Sequence, residues 1–185
     1  MELRLHPIYK KWLLFALVIG PLGWLLLTTD GQRRSDLVLL TLLGKEEMNL
    51  AVEQLVSGIS QAQFQDLFPD LHFRCDGGKN PFGNRLCTAE IGAFNGIPAR
   101  AVTLFLQGNR LQALKVNYRR AYHEFLQAQL AARLGKPEQE SNPSAFSWPV
   151  RDGRLVMPVA APDQDGDAAL FWISQQAAAH LRATH

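Results

Sequence analysis

The hydrophobic pattern of the chain begins with a long uncharged segment near the amino terminus. Residues 12–29, WLLFALVIGPLGWLLLTT, contain no charged side chain. A helix of this length extends about 27 Å, close to the thickness of the hydrocarbon core of a bilayer. Trp12 and Trp24 lie near the two ends of the segment, where indole rings favour the membrane interface. The segment therefore predicts a transmembrane helix.

The charges that flank this segment predict its orientation. Arg4, Lys10 and Lys11 precede it, whereas Arg33 and Arg34 follow it. By the positive-inside rule, this excess favours a cytoplasmic amino terminus. A cleaved signal peptide is the alternative, but the apolar run is long for one and no small-x-small cleavage pattern follows it. We expect an uncleaved signal anchor.

The segment after the anchor carries more apolar side chains than one helix face needs. Residues 31–36 indicate a polar hinge, and the helical sequence LVLLTLL follows at 37–43. Seven residues are too few to span a bilayer. Its apolar excess can pack on the protein's own domain, which is the simplest explanation, lie along the membrane surface, or meet a partner. The candidate partner-binding residues are Leu37, Leu40 and Leu43.

The remaining pattern alternates between strands and helices. Asn95-Gly96 and Gly108-Asn109 are two-residue hairpin signals, and the residues at 102, 104 and 106 alternate with less apolar neighbours. A helix is predicted over 119–134, because Gly135 and Pro137 end it. The order of elements predicts an α+β fold: a single N-terminal transmembrane helix, then a small domain with a mostly antiparallel sheet packed by helices.

The two cysteines predict a compartment. Cys75 and Cys87 flank a segment rich in Gly, Asn and Pro, with strand-like sequence on both sides. A disulfide there would need an oxidising compartment and would stabilise the fold by about 3 kcal/mol. Metal binding with His72 would supply only three ligands, and two unpaired thiols are the remaining alternative. We expect a structural disulfide between Cys75 and Cys87, which agrees with an extracytoplasmic domain.

Net charge and motifs exclude several classes of function. The formal net charge is +2, and the tail that precedes the anchor accounts for this excess, so nothing indicates nucleic-acid binding. No P-loop, G-x-S-x-G or G-x-G-x-x-G sequence occurs. His123-Glu124 lacks the second His of the zinc-protease motif, because Gln127 stands in its place. The acidic turn at 163–167 lacks the glycine and glutamate of a calcium loop. We expect no catalytic residue, cofactor or metal.

Aromatic residues on the late strands leave one further alternative. Trp148 and Trp172 could line a ligand groove, as in a sensory domain, although such residues more often fill a core. An unrecognised enzyme would need His72 or His123 to meet a base partner in a cleft.

The sequence thus favours a single-pass protein of the inner membrane whose periplasmic domain acts as a binding or assembly factor in an envelope complex. It predicts protein partners and no small-molecule ligand. The predicted segments are a cytoplasmic tail at 1–11, a transmembrane anchor at 12–29, a juxtamembrane helical segment at 30–59 and an extracytoplasmic α+β domain at 60–185.

Overall fold

Two helices lead into the domain. The computed structural model describes residues 7–138, 144–162 and 167–183. Helix α1 (Pro7–Leu27) is followed at once by α2 (Thr29–Leu42). Within the described chain, one helical span, Tyr9–Leu27, is long and apolar enough to cross a membrane, and none of it is buried against the rest of the protein. The predicted N-terminal apolar helix is therefore confirmed.

The predicted hinge at 31–36 is instead part of α2. Thr28 is the N-cap of this helix, and its side chain accepts a hydrogen bond from the Gly31 N–H. Asp30 lies in the first turn, where a negative charge interacts favourably with the helix dipole. Asp30 also pairs with Arg33 and Arg34, one turn further along. These local interactions make a polar sequence helical where composition alone indicated a flexible connection.

Nine strands of the described chain form one sheet. They are β1 (Glu47–Met48), β2 (Arg74–Asn80), β3 (Gly83–Glu90), β4 (Ala93–Phe94), β5 (Ile97–Gln107), β6 (Arg110–Tyr118), β7 (Ala145–Val150), β8 (Gly153–Pro158) and β9 (Ala168–Ser174). The strand order is β1-β4-β5-β6-β9-β8-β7, with β3 also pairing β5 and β2 pairing β3. The longest strand is β5, which connects the β1–β4 pair to the β2–β3 pair because its start pairs with β4 and its remainder with β3.

The sheet is mixed, which corrects the prediction of a mostly antiparallel sheet. Strand β1 runs parallel to β4, with Glu47 opposite Ala93 and Met48 opposite Phe94. A parallel pair needs a long crossover connection, and residues 49–92 supply it here. The antiparallel prediction rested on hairpin turns in the sequence, and a hairpin turn indicates only that the two strands it joins are antiparallel.

The turns confirm both predicted hairpins, at Asn95-Gly96 and at Gly108-Asn109. Asn95 and Gly96 both adopt positive φ between β4 and β5, as a type I′ turn requires. Gln107 pairs with Arg110 around the second predicted turn. The Gly-rich segment between the cysteines, in contrast, is extended as β2 and pairs with β3. Cross-strand hydrogen bonding there outweighs the turn preference of the glycines, and the reversal occurs at residues 81–82.

Helices and turns pack against the sheet and complete its core. Helix α4 (His123–Leu134) contributes Leu126 and Leu130 to the core, and α3 (Gln61–Leu67) contributes Phe64. A 3-10 turn at Val52–Gln54 adds a further buried residue, a second one at Arg120–Tyr122 precedes α4, and α5 (Gln175–Ala183) follows β9. The sheet residues of this core include Val102, Leu104, Leu106, Leu114, Val116, Leu155, Leu170 and Trp172.

Candidate interaction surfaces

A tight elbow joins α1 to α2. The Thr28 hydroxyl group donates a hydrogen bond of 2.7 Å to the Trp24 carbonyl oxygen and accepts one of 3.0 Å from the Gly31 N–H. The Gln32 amide group donates to the Leu26 carbonyl oxygen over 2.7 Å. A Cβ atom on Gly31 would lie 2.3 Å from the Trp24 carbonyl oxygen, so only glycine fits there. These contacts therefore fix the bend between α1 and α2, and the connection is not a flexible linker.

Arg33 fastens α2 to the domain. Its Nη1 donates to the Gly96 carbonyl oxygen over 2.9 Å, and its Nη2 donates to Asp30 over 2.8 Å. The guanidinium group also lies 4.9 Å from the centre of the Phe125 ring, on α4. The hydrogen bonds from Arg33 and Arg34 hold the pKa of the Asp30 carboxyl group below its ordinary value. One side chain thus connects α2 to a turn of the sheet and to a helix of the core.

Asp36 supplies a second attachment. Its Oδ2 accepts hydrogen bonds from Arg119 Nη1 at 2.7 Å and from the Tyr122 hydroxyl group at 2.8 Å. Burial, together with the hydrogen bond to Asp36, raises the pKa of Tyr122 to about 12. Sequence reasoning missed Gly31, Arg33 and Asp36. The spacing of Asp30 to Arg33 and Arg34 behind a capping threonine was the available signal.

The leucines singled out from the sequence lie at different places on α2. Leu37 and Leu40 are half-buried, whereas Leu43 is 66% exposed. Three neighbours have the larger exposed surfaces among the other apolar residues of this helix: Val38, Leu39 and Leu42. Of the three candidate residues, Leu43 is therefore exposed and the other two are not. The three exposed neighbours were not among the residues that the spacing of three selected.

The face of the sheet opposite the core is partly open. Thr103, Lys115, Phe171 and Val156 follow one another across β5, β6, β9 and β8, and all four are half-buried. The adjacent row contains Phe105, Ala113, Ile173 and Arg154, of which only Ala113 is buried. The Lys115 ammonium group lies 5.8 Å from the centre of the Phe171 ring. We call these two rows the open sheet face.

Cys75 and Cys87 face each other across β2 and β3. Their sulfur atoms lie 2.04 Å apart, at the distance of a disulfide bond, and the two residues are directly paired in the register. Cys87 is fully buried in the core and Cys75 is half-buried. The predicted pairing is confirmed, and the bond attaches the edge strand β2 to the core.

The two histidines considered for a site have separate surroundings. His72 is exposed and lines an open groove of about 730 Å³, together with Lys45, Asp70, Arg74 and Glu90. Lys45 donates a hydrogen bond to Glu90 and holds the pKa of that carboxyl group below its ordinary value. Among residues 7–138, 144–162 and 167–183, no group of three or more His, Cys, Asp or Glu is arranged to hold a metal ion.

His123 belongs to the core and not to that groove. Its side chain is buried, and Nδ1 forms a hydrogen bond of 2.8 Å with the Tyr118 hydroxyl group. Burial raises the pKa of Tyr118. In the part of the chain that the structure describes, the buried Nε2 atom has no hydrogen-bond partner. Of the acidic turn, residues 163–166 lie outside the described chain, and Asp167 pairs with Arg100 at 2.9 Å.

Both tryptophans proposed for a groove are fully buried in the core cluster. Trp148 Nε1 donates to the Gly135 carbonyl oxygen over 3.0 Å. Trp172 Nε1 is buried, and no described residue accepts its hydrogen. Neither side chain offers surface to a ligand in this conformation.

Comparison with known proteins identifies no relative. No protein-family model, no curated protein and no solved structure matches the chain. A function is therefore inferred from the structure itself: from the elbow, from the attachments of α2 and from the open sheet face.

Proposed function

We propose that this chain is a single-pass membrane protein whose extracytoplasmic domain binds a protein partner in an envelope complex. In a bacterium the domain would be periplasmic. The observation that carries the proposal is the open sheet face, because its half-buried apolar side chains offer a contact surface to a partner. Phe105, Phe171, Val156 and Ile173 form its apolar part.

Two further observations support the location. Span Tyr9–Leu27 has the length and composition of a membrane helix and has no burial within the protein. The bond between Cys75 and Cys87 forms in oxidising compartments and rarely persists in the cytosol. Together they favour an anchor with the domain outside the cytoplasm.

Photocrosslinking in native membranes tests the partner. A photoreactive amino acid at Phe171 should give a discrete heavier product, whereas the same group at Ala128, an exposed position of α4, should give none. Equal products from both positions, or none from Phe171, would contradict binding through this face.

Thiol labelling tests the compartment separately. A maleimide that cannot cross membranes should label the half-buried Cys75 in intact spheroplasts only after reduction, because the bond blocks its thiol. Labelling without a reductant would contradict the disulfide. Labelling that requires lysis would contradict the extracytoplasmic location.

A further inference from the structure

Helix α2 has two different faces. Successive residues of an α-helix are rotated by about 100°, so positions three, four and seven apart share a face. Arg33, Asp36, Leu37 and Leu40 have this spacing; the first two contact the domain, and the two leucines are half-buried. The opposite face begins at Gly31 and continues through Ser35, Val38 and Leu42.

The face that begins at Gly31 is the one that meets α1. Gly31 lies against the backbone of Trp24 and Leu25, in the last turns of α1. Arg34, at the edge of the same face, lies over the Trp24 ring with its guanidinium carbon 5.7 Å from the ring centre. The continuation of this face along α2 is therefore directed to the side from which α1 arrives, and away from the sheet.

Apolar side chains on this side of α2 are largely uncovered. Val38 is 60% exposed, Leu39 53% and Leu42 78%. Leu26 and Leu27, at the end of α1, are exposed as well, at 66% and 84%. We call Val38, Leu39 and Leu42 the outer stripe of α2.

We infer that the outer stripe of α2 lies in the membrane interface, between the lipid headgroups and the acyl chains. This inference rests on the proposed function, since it requires α1 to span the bilayer. If α1 crosses the membrane, its C-terminal turns lie at the surface, and the side of α2 that faces them is brought against the lipid. A helix that presents an exposed apolar face is suited to this position. Here the opposite face is held against the domain itself, through Arg33 and Asp36.

If α2 lies in the membrane interface, the orientation of the domain relative to the bilayer follows from its contacts with α2. The residues that contact α2 are at one end of the sheet, at the β4–β5 turn with Gly96 and just after β6 with Arg119. The β5–β6 turn with Asn109 is at the other end, with most of β5 and β6 between the two ends. The inference therefore places Asn109 away from the lipid.

Spin-label accessibility in nanodiscs tests the inference on the full chain. The two natural cysteines are bonded to each other and the sequence has no others, so single introduced cysteines can be labelled selectively. Labels are placed by Leu17→Cys in α1, Leu42→Cys in the outer stripe and Asn109→Cys at the far turn. Discs contain phosphatidylcholine and phosphatidylglycerol. Accessibility to oxygen, which concentrates in lipid, is compared with accessibility to a water-soluble nickel complex.

We expect the Leu17 label to be deep in the bilayer, the Asn109 label to be in water, and the Leu42 label to have several-fold lower access to nickel than the Asn109 label. A Leu42 label as accessible to nickel as the Asn109 label, with Leu17 still deep, would overturn the inference and leave the anchor intact. A Leu17 label in water would overturn the anchor and the inference together. Spin–spin broadening between Leu42 labels in discs with two chains would show that the outer stripe contacts a second copy of the chain. That result would also overturn the inference.

Discussion

The Tyr122 hydroxyl group donates a hydrogen bond of 2.8 Å to the Asp36 carboxylate, and this contact joins two segments that are far apart in the sequence. Arg119 donates to the same carboxylate oxygen. Asp36 is on α2 and both donors immediately precede α4, so a single acidic side chain fixes α2 to the core.

Replacement of Asp36 should therefore weaken the whole domain. Asp36→Ala leaves the buried Tyr122 hydroxyl group without its acceptor, and we expect the free energy of unfolding to fall by about 1–3 kcal/mol. Chemical unfolding of the detergent-solubilised chain measures it. Asp66→Ala, at an exposed position of α3, is the matched control and should change stability by less than about 0.5 kcal/mol. Equal effects of the two variants would contradict the role of Asp36.

Replacement of Gly31 should open the elbow. In Gly31→Ala the added methyl group would collide with the Trp24 carbonyl oxygen, so α2 must move away from α1. Distances between spin labels at Val18 and Ala128 should shift or broaden. Gly23→Ala is the matched control, because a Cβ there would meet no atom within 4 Å. An unchanged distance distribution in Gly31→Ala would show that the elbow tolerates a side chain.

The two buried tryptophans should respond differently to the same substitution. Trp148→Phe removes a hydrogen bond to the Gly135 carbonyl oxygen, whereas Trp172→Phe removes a buried N–H group for which no described residue is an acceptor. Both variants lose similar volume from fully buried positions. We therefore expect Trp148→Phe to be more destabilising by about 1 kcal/mol in chemical unfolding. The reverse order would indicate that the Trp172 indole has an acceptor.

The disulfide should contribute measurably to stability. Reduction frees the edge strand β2 from Cys87, and we expect the free energy of unfolding to fall by about 3 kcal/mol. The comparison is unfolding with and without a reductant. Cys75→Ala/Cys87→Ala is the control and should be insensitive to the reductant. Sensitivity in that variant would assign the effect to something other than this bond.

Tyr122 should make the domain sensitive to alkaline pH. Burial and the neighbouring Asp36 raise its pKa from 10.0 to about 12, so folding favours the neutral hydroxyl group. This stabilisation is complete below about pH 10 and is lost as the pH rises through the pKa of the folded state. The free energy of unfolding should fall over this range, and Tyr122→Phe should make the decline shallower. Because the pKa of Tyr118 is also raised, part of the decline should remain. An equally steep decline in Tyr122→Phe would exclude Tyr122 as its source.

Local patterns predicted the elements that depend on near neighbours. The uncharged run predicted α1, the Asn95-Gly96 pair predicted a hairpin, and the strand-like sequence around Cys75 and Cys87 predicted their pairing. Each of these depends on a few adjacent residues or on a short loop.

Features set by distant contacts were beyond the same reasoning. The pairing of β1 with β4 depends on a crossover of many residues, and the extended conformation of Gly77 and Gly78 depends on β3. Leu37 and Leu40 were recognisable as helical, but periodicity does not show which side of a helix the rest of the protein covers. Arg33 and Asp36 decide that side through partners more than sixty residues away.

The elbow has a consequence for how a partner would be met. Because Gly31 fixes α2 against α1 and Arg33 fixes α2 to the sheet, a rotation of α1 about its own axis would turn the open sheet face through the same angle. If α1 spans a bilayer as proposed, the direction in which that face points would be set within the membrane, by whatever packs against α1. Neighbouring membrane helices would then influence binding outside the membrane without touching the domain.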